Sequence, residues 1–186
     1  MLFEAGSSRL VHAIPDIVQL PRAVRIRCNG NAHAGFARPA RVIGGQIQAI
    51  QVANGAIRTA PAVYETTSQT MVAFTNSGSS HCSGGNVTML NVAASGGSPI
   101  SFAWCAQFSG NGSPIVTTTD GTADAIVWVP GAEGDNRLHG FNALNGQAVY
   151  SGSDTMAGLH HFQTILATAQ RLYVAGDNKV YAFAWK

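Results

Sequence analysis

An eight-residue segment that occurs twice is the feature that most constrains the fold of this chain. Gly134–Phe141 (Gly-Asp-Asn-Arg-Leu-His-Gly-Phe) returns 42 residues later as Gly176–Phe183 (Gly-Asp-Asn-Lys-Val-Tyr-Ala-Phe). Each copy places Gly-Asp-Asn, a turn signal, before a short segment of strand type. Self-similarity at roughly 40–50 residues is typical of stacked β units such as propeller blades. The recurrence predicts structural rather than catalytic roles for the positions that are identical in the two copies: Gly134, Asp135, Asn136, Phe141, Gly176, Asp177, Asn178 and Phe183.

Short apolar segments separated by turn residues group into three units. The units cover about residues 57–106, 113–152 and 161–186, and the third stops before a fourth strand. Ahead of them, Gln46–Val52 alternates polar and apolar residues, which predicts a lone strand with one buried face. We interpret residues 46–53 as the last strand of a preceding blade. The predicted fold is therefore all-β: an incomplete β-propeller of about three four-stranded antiparallel blades within residues 46–186.

The turn after the third strand of a unit also repeats. Leu90–Gly96 and Phe141–Gly146 both lead from an apolar strand end to Asn, and then to Gly six and five residues after that strand end, respectively. Glycine permits the positive φ that a tight hairpin needs, so Gly146 is predicted to be structural. An aromatic residue, Trp104 or Tyr150, closes each complete fourth strand. A large flat side chain at that position is expected to pack against the neighbouring blade.

These residues resemble the repeat of quinoprotein-type β-propellers, known as the pyrroloquinoline-quinone-like repeat. That repeat reads as a strand ending Leu-Tyr-Ala-Leu/Phe, then Asp-Ala-x-Thr-Gly-Lys-x-x-Trp. Leu138–Phe141 followed by Asn142-Ala-Leu-Asn-Gly-Gln-Ala-Val-Tyr150 matches it with Asn for Asp, Asn for Thr, Gln for Lys and Tyr for Trp. Val180–Phe183 matches the strand, and the resemblance covers about residues 57–186.

The resemblance implies a bacterial propeller of which this chain is a C-terminal fragment, because propellers typically have 4–8 blades. It also implies a periplasmic or extracellular location. Two functions remain open. One is a non-catalytic binding or scaffold module that contacts another protein or the missing blades. The alternative is a fragment of a pyrroloquinoline-quinone-dependent oxidoreductase that lacks its catalytic blades. The adjacent Cys-Cys pair and the calcium-binding set of those enzymes do not occur in this sequence, so no cofactor is expected.

Charge separates the two ends of the chain. Residues 1–41 carry six Arg against Glu4 and Asp16, whereas residues 42–186 carry five basic and seven acidic residues. We interpret residues 1–45 as an irregular basic leader that does not match the family. The rest offers no basic face for nucleic acid. The sequence contains neither an apolar run long enough to enter a membrane nor a signal peptide, because Pro15, Pro21 and scattered Arg interrupt residues 1–30.

Acidic and histidine residues near the predicted turns are the candidate ligands. Asp120 and Asp124 flank a hairpin tip, and Glu133 precedes the repeated Asp135. Calcium loops need more oxygen ligands in a longer pattern, so solvated turns are favoured over metal sites. His139 and the pair His160-His161 are candidates for a metal site or proton transfer, but no third ligand is apparent. We therefore predict no catalytic, cofactor or metal residues.

Three cysteines occur: Cys28, Cys82 and Cys105. Cys82 and Cys105 fall in the same unit, before its third strand and after its fourth. Because those strands are expected to be antiparallel neighbours, a disulfide is one interpretation and two separate thiols is the other. Cys28 has no evident partner.

Overall fold

Eleven strands and no helix make up the part of the chain that the computed structural model describes, residues 46–66, 68–94, 96–121 and 123–185. These residues belong to a single unit, Gly44–Lys186. The predicted all-β class is confirmed, and the three antiparallel sheets form an incomplete propeller-like fold. The leader predicted at residues 1–45 lies outside the described residues. Within them, no helix is long and apolar enough to cross a membrane.

Each sheet is a meander of consecutive antiparallel strands. The first blade consists of β1 (Ala62–Glu65), β2 (Thr70–Thr75), β3 (Val87–Val92) and β4 (Ile100–Ala106). The second consists of β5 (Ile115–Thr117), β6 (Ile126–Pro130), β7 (Leu138–Asn142) and β8 (Ala148–Ser151). The third consists of β9 (Ile165–Ala167), β10 (Arg171–Ala175) and β11 (Val180–Ala184). Neighbouring strands in a meander need only short turns, which explains the frequent Gly, Asn and Ser between them.

The hydrophobic core lies between the blades. Between the first and second blades, the buried side chains include Met71, Met89, Val127, Val129 and Phe141. Between the second and third, they include Trp128, Leu138, Ile165, Leu172 and Val174. Each fully buried aliphatic side chain contributes about 1.5–3 kcal/mol relative to exposure. The blades therefore stabilise one another face to face, and each blade depends on its neighbour.

The two copies of the sequence repeat occupy equivalent places in the second and third blades. Phe141 of β7 lies opposite Val127 of β6, and Phe183 of β11 lies opposite Leu172 of β10. In both hairpins the Phe is the penultimate residue of its strand. Both side chains point toward the preceding blade, since Phe141 belongs to the first interblade core and Phe183 packs against the second.

The prediction of a strand at Gln46–Val52 is wrong, because this segment forms no strand. Directly after it, Ala53 forms one isolated bridge with Ser79. The side chain of Gln48 takes the place of a paired strand: its Nε2 donates to Ile100 O at 3.1 Å, and its Oε1 accepts from Ile100 N at 2.7 Å. A glutamine amide can satisfy both backbone groups of one residue. The alternation therefore reflects a segment that attaches to the first blade through a side chain.

Candidate functional site

A cluster of two histidines and two carboxylates lies where the connection between β8 and β9 passes the turns of two blades. Glu133 Oε1 accepts a hydrogen bond from His161 Nδ1 at 2.7 Å and lies 3.9 Å from His160 Nδ1. On the other side, His160 Nε2 contacts Asp177 Oδ1 at 2.8 Å. Glu133 belongs to the β6–β7 turn and Asp177 to the β10–β11 turn. The histidines therefore connect the second blade to the third.

The electrostatics of the cluster favour ionised Glu133. The hydrogen bond from the His161 side chain holds the pKa of Glu133 below its ordinary value of 4.5, and the backbone N–H of His161 and the charges of both histidines act in the same direction. Partial desolvation opposes this shift. The Glu133 side chain remains 37% exposed, so solvent screens the interaction and its contribution to stability is small.

Phe162 stands out beside this cluster as a large exposed aromatic. Its side chain is 67% exposed. Its ring lies parallel to the His160 ring, with ring centroids 5.3 Å apart. It packs edge-to-face with the His161 ring, with ring centroids 5.5 Å apart. The backbone beneath is fixed as well, since Ser113 Oγ donates to His161 O at 3.0 Å. We call the surface formed by Glu133, His160, His161, Phe162 and Asp177 the Phe162 platform.

Asp135 and Asp177 hold the same place in the repeat but contact different partners. Asp135 Oδ2 lies 2.9 Å from His139 Nε2, and Asp135 Oδ1 accepts from Arg137 N at 3.0 Å. In the second copy the residue equivalent to His139 is Tyr181, whose hydroxyl donates to Ala157 O at 3.1 Å. Asp177 is thereby left to pair with His160. One repeated turn position therefore has a local role in the second blade and joins the platform in the third.

The glycines and asparagines of the repeat position the turns. A Cβ on Gly134 would lie 2.5 Å from Gly110 N, and one on Gly176 would lie 2.8 Å from Ala157 O. Each glycine therefore admits the connection that leads into its own blade. Asn136 has φ 55°, the left-handed conformation that Asn tolerates. Asn178, its counterpart in the second copy, is not among the described residues with a positive φ.

Gly146 and the two fourth-strand aromatics differ in what they contact. Trp104 of β4 donates from Nε1 to Ala143 O at 2.8 Å, in the second blade. Its indole lies over Gly146, where a Cβ would come within 2.6 Å of Cε3. Tyr150 of β8 instead remains beside Trp128 of its own blade, with ring centroids 5.6 Å apart. Trp104 packs against the following blade as expected, whereas the ring contact of Tyr150 is with a residue of its own blade.

Asp120 and Asp124 stabilise the tip of the β5–β6 hairpin. Asp120 Oδ1 accepts from Ala123 N at 2.6 Å, and Asp124 Oδ2 contacts Thr119 Oγ1 at 3.1 Å. Asp124 has φ 50°, as residues in tight turns often do. Across residues 46–66, 68–94, 96–121 and 123–185, no group of three or more His, Cys, Asp or Glu side chains is placed to hold a metal ion.

The structure joins Cys82 and Cys105 in a disulfide with α-carbons 6.1 Å apart. Cys105 lies opposite Thr88 near the end of β4, and Cys82 lies in the long turn before β3. The bond therefore attaches that turn to the outer strand of the first blade. Of the two interpretations of these cysteines, the structure contains the bridged one; Cys28 lies outside the described residues.

The Phe162 platform itself was not predicted from sequence. His160-His161, Asp177 and Glu133 are separate candidates in the sequence, because Glu133 lies 28 residues from His161 along the chain. The sequence signal that could have indicated it is the run of three ring-bearing residues His160-His161-Phe162 shortly before β9. No protein-family model, curated protein or solved structure matches this chain.

Proposed function

We propose that residues 46–185 form a non-catalytic binding or scaffold module, part of a longer exported quinoprotein-like β-propeller. The observation that carries this proposal is Phe162, which is 67% exposed although its neighbours are fixed by contacts to two blades. An aromatic side chain that is already ordered loses little conformational entropy when a partner covers it. Aromatic residues of this kind dominate the energetics of protein interfaces.

The charges around Phe162 indicate the chemistry of the partner. Glu133 and Asp177 flank the ring, and the described residues carry four basic against seven acidic side chains. A protein surface with an apolar pocket and nearby basic groups would match this arrangement. The partner is therefore expected to be a protein rather than a nucleic acid.

Two further observations support the non-catalytic and exported parts of the proposal. The carboxylates of the platform hold the histidines in place, and Ser113, the nearby hydroxyl, donates to the His161 carbonyl rather than to a base. The Cys82–Cys105 disulfide is of the kind that persists in oxidising compartments.

Partner capture tests this function. Immobilised full-length chain is exposed to the periplasmic or secreted proteins of its source, and specifically retained proteins are identified by mass spectrometry. Phe162→Ser should reduce capture of the partner at least about tenfold, the loss expected for a hot-spot aromatic. Leu144→Ser is the matched control, because Leu144 is 63% exposed on the β7–β8 turn, at the opposite end of the strands. Equal capture by both variants would contradict the proposal.

The runner-up function, a fragment of a quinone-dependent oxidoreductase, makes a different prediction. It requires dye reduction that depends on added pyrroloquinoline quinone and Ca²⁺. The described residues bring together no group of three or more His, Cys, Asp or Glu side chains that could hold the Ca²⁺ ion. Cofactor-dependent dye reduction by the purified chain would favour the enzyme over the binding module.

A further inference from the structure

The fourth strands of the two complete blades pair with their third strands in the same irregular way. In the second blade Gly140 lies opposite Tyr150 and Phe141 opposite Ala148, so Val149 is an extra residue in a bulge. In the first blade Met89 lies opposite Trp104 and Leu90 opposite Phe102, which makes Ala103 the extra residue. Each bulge therefore directly precedes an aromatic. Bulges re-aim side chains, and here they set the position of that aromatic.

In the third blade, β11 is the strand that would pair with a fourth strand of this kind. Among the described residues β11 pairs with β10 alone. Gly176 N donates to Lys179 O at 2.8 Å and Trp185 N to Gln170 O at 3.4 Å, which fixes the alternation of the hairpin. Because hydrogen-bonded and non-hydrogen-bonded pairs alternate, Val180, Ala182 and Ala184 direct their N–H and C=O groups away from β10.

The second blade shows what those groups bind. Leu138 O accepts from Gly152 N and Asn142 N donates to Gln147 O, each at 2.8 Å, so both groups face the β8 side of the sheet. Leu138 and Asn142 precede Val180 and Ala184 by the 42-residue repeat. The outward backbone groups of β11 thus correspond to those that hold a fourth strand in β7.

The exposure of the side chains also indicates that β11 lacks a neighbour that β7 has. In β7 the first four residues are all buried, whereas β11 alternates between exposed and half-buried. Val180 is 69% exposed and Leu166 of β9 is 64% exposed. At the centre, Gly140 makes room for Tyr150 beside Trp128, and the equivalent pair in the third blade is Ala182 beside Tyr173. In the third blade, Ala182 beside Tyr173 is therefore again a small residue next to an aromatic, where the aromatic side chain of a fourth strand could pack.

We propose that the β11 edge binds an antiparallel strand from outside this 186-residue sequence, with a bulge and then an aromatic residue opposite Ala182. Residues 46–53 are excluded as the source, because Gln48 and Ala53 hold that segment on the first blade. Strand addition to an open sheet edge derives affinity from backbone hydrogen bonds and specificity from side-chain pockets. The occupant is therefore an uncharged, alternating segment similar to Gln147–Ser151.

A labelled peptide of residues 145–153 is the probe, with full-length protein titrated in fluorescence anisotropy. Binding should be saturable, and the peptide carrying Tyr150→Ser should bind about tenfold more weakly, as expected for losing an aromatic pair. Ala182→Pro in the protein should weaken binding at least about tenfold. Proline is tolerated at an edge-strand position whose N–H faces outward, so the β10–β11 ladder is expected to persist, and circular dichroism checks this.

A tethered version makes the test independent of weak peptide affinity. A flexible Gly/Ser linker after Lys186 followed by residues 145–153 raises the effective concentration to the millimolar range. The fusion should melt at a higher temperature than the same fusion with Tyr150→Ser in the appended segment. Equal melting of the two fusions would overturn the proposal.

Other occupants of the edge would give distinct results. Dimers that Ala182→Pro abolishes, in protein that does not bind the peptide, would show a second copy on the edge. Slow amide exchange at Val180, Ala182 and Ala184 in the protein alone would show a segment of the same chain there. Either result overturns the proposal. Phe162→Ser should bind the peptide like wild type, so a failure here is separable from a failure of the Phe162 platform.

Discussion

The two interfaces between consecutive blades are secured differently, although the blades share one plan. At the first interface Trp104 leaves its own sheet to donate to Ala143 O and to lie over Gly146. At the second, the equivalent Tyr150 remains against Trp128, and Trp185 from beyond β11 approaches Trp128 with centroids 5.6 Å apart. In the first blade, therefore, the fourth strand is secured by the turn after the third strand of the next blade. The described part of the third blade ends before such a turn.

Removing the disulfide should have the largest effect, because it fixes the outer strand of the first blade. Cys82 and Cys105 are 23 residues apart. In the chain-entropy model, opening a loop of that size costs about 3 kcal/mol. The double variant Cys82→Ser/Cys105→Ser is compared with wild type by urea unfolding, and Cys28→Ser is the control. Three free thiols in oxidised, denatured wild-type protein would contradict the bridge.

Gly146→Ala should lower the free energy of unfolding by about 2.5 kcal/mol. The new methyl group would overpack against Trp104, and alanine is strained at a positive φ. Gly146 has φ 73°, and its new Cβ would lie 2.6 Å from the indole. Gly121→Ala is the matched control: φ is 92°, and no atom in the described structure lies within 4 Å of the new Cβ. That control should cost only about 1 kcal/mol. Equal losses of unfolding free energy would mean that Trp104 does not restrict Gly146.

Trp104→Phe against Tyr150→Phe tests the contrast between the interfaces directly. The first change leaves the carbonyl of the buried Ala143 without its indole donor and should cost about 1.5 kcal/mol. The second removes a hydroxyl from a side chain that is 38% exposed and should cost less than about 0.5 kcal/mol. Thermal and urea unfolding of both variants measure the difference. A larger loss for Tyr150→Phe would reverse the assignment of the secured interface.

The smallest effect is expected from Glu133→Gln, and it depends on pH. The folded-state pKa of Glu133 lies below 4.5 because His161 donates to it. The ionised carboxylate therefore stabilises the fold above pH 4.5, and this contribution is lost as pH falls through the lowered pKa. Wild type should melt slightly higher than Glu133→Gln above that value, and the two should converge in more acidic solution. Asp154→Asn is the control; a difference that grows in acid would contradict the sign.

Strand positions were largely predictable because they depend on local pattern. The short apolar segments of the three predicted units are strands in the structure, as at Thr70–Thr75 and Arg171–Ala175, which both contain β-branched and aromatic residues. Gln46–Val52 alternates equally well but forms no strand, since a pattern specifies a buried face and not a hydrogen-bonding partner. Its polar residues instead let Gln48 bind the backbone of Ile100.

The candidate site was much less predictable, because it depends on distances across the blades. The equivalence of Asp135 and Asp177 was visible, and it suggested one shared turn role. The structure separates them because His139 in one copy is replaced by Tyr181 in the other, which frees Asp177 for His160. Contacts between residues 17 to 28 positions apart leave no periodic signal in the sequence.

The reach of Trp104 into the next blade has a consequence for synthesis on the ribosome. The indole cannot dock until Ala143 and Gly146 have left the exit tunnel, about 40 residues after Trp104 itself. At about 5–20 residues per second, that interval is roughly 2–8 s. During this time the first blade has all four strands, but its outer strand lacks the Trp104 contact to the second blade. Native structure should therefore trail the growing chain by one blade, and the nascent first blade should be most open to proteases and chaperones in that window.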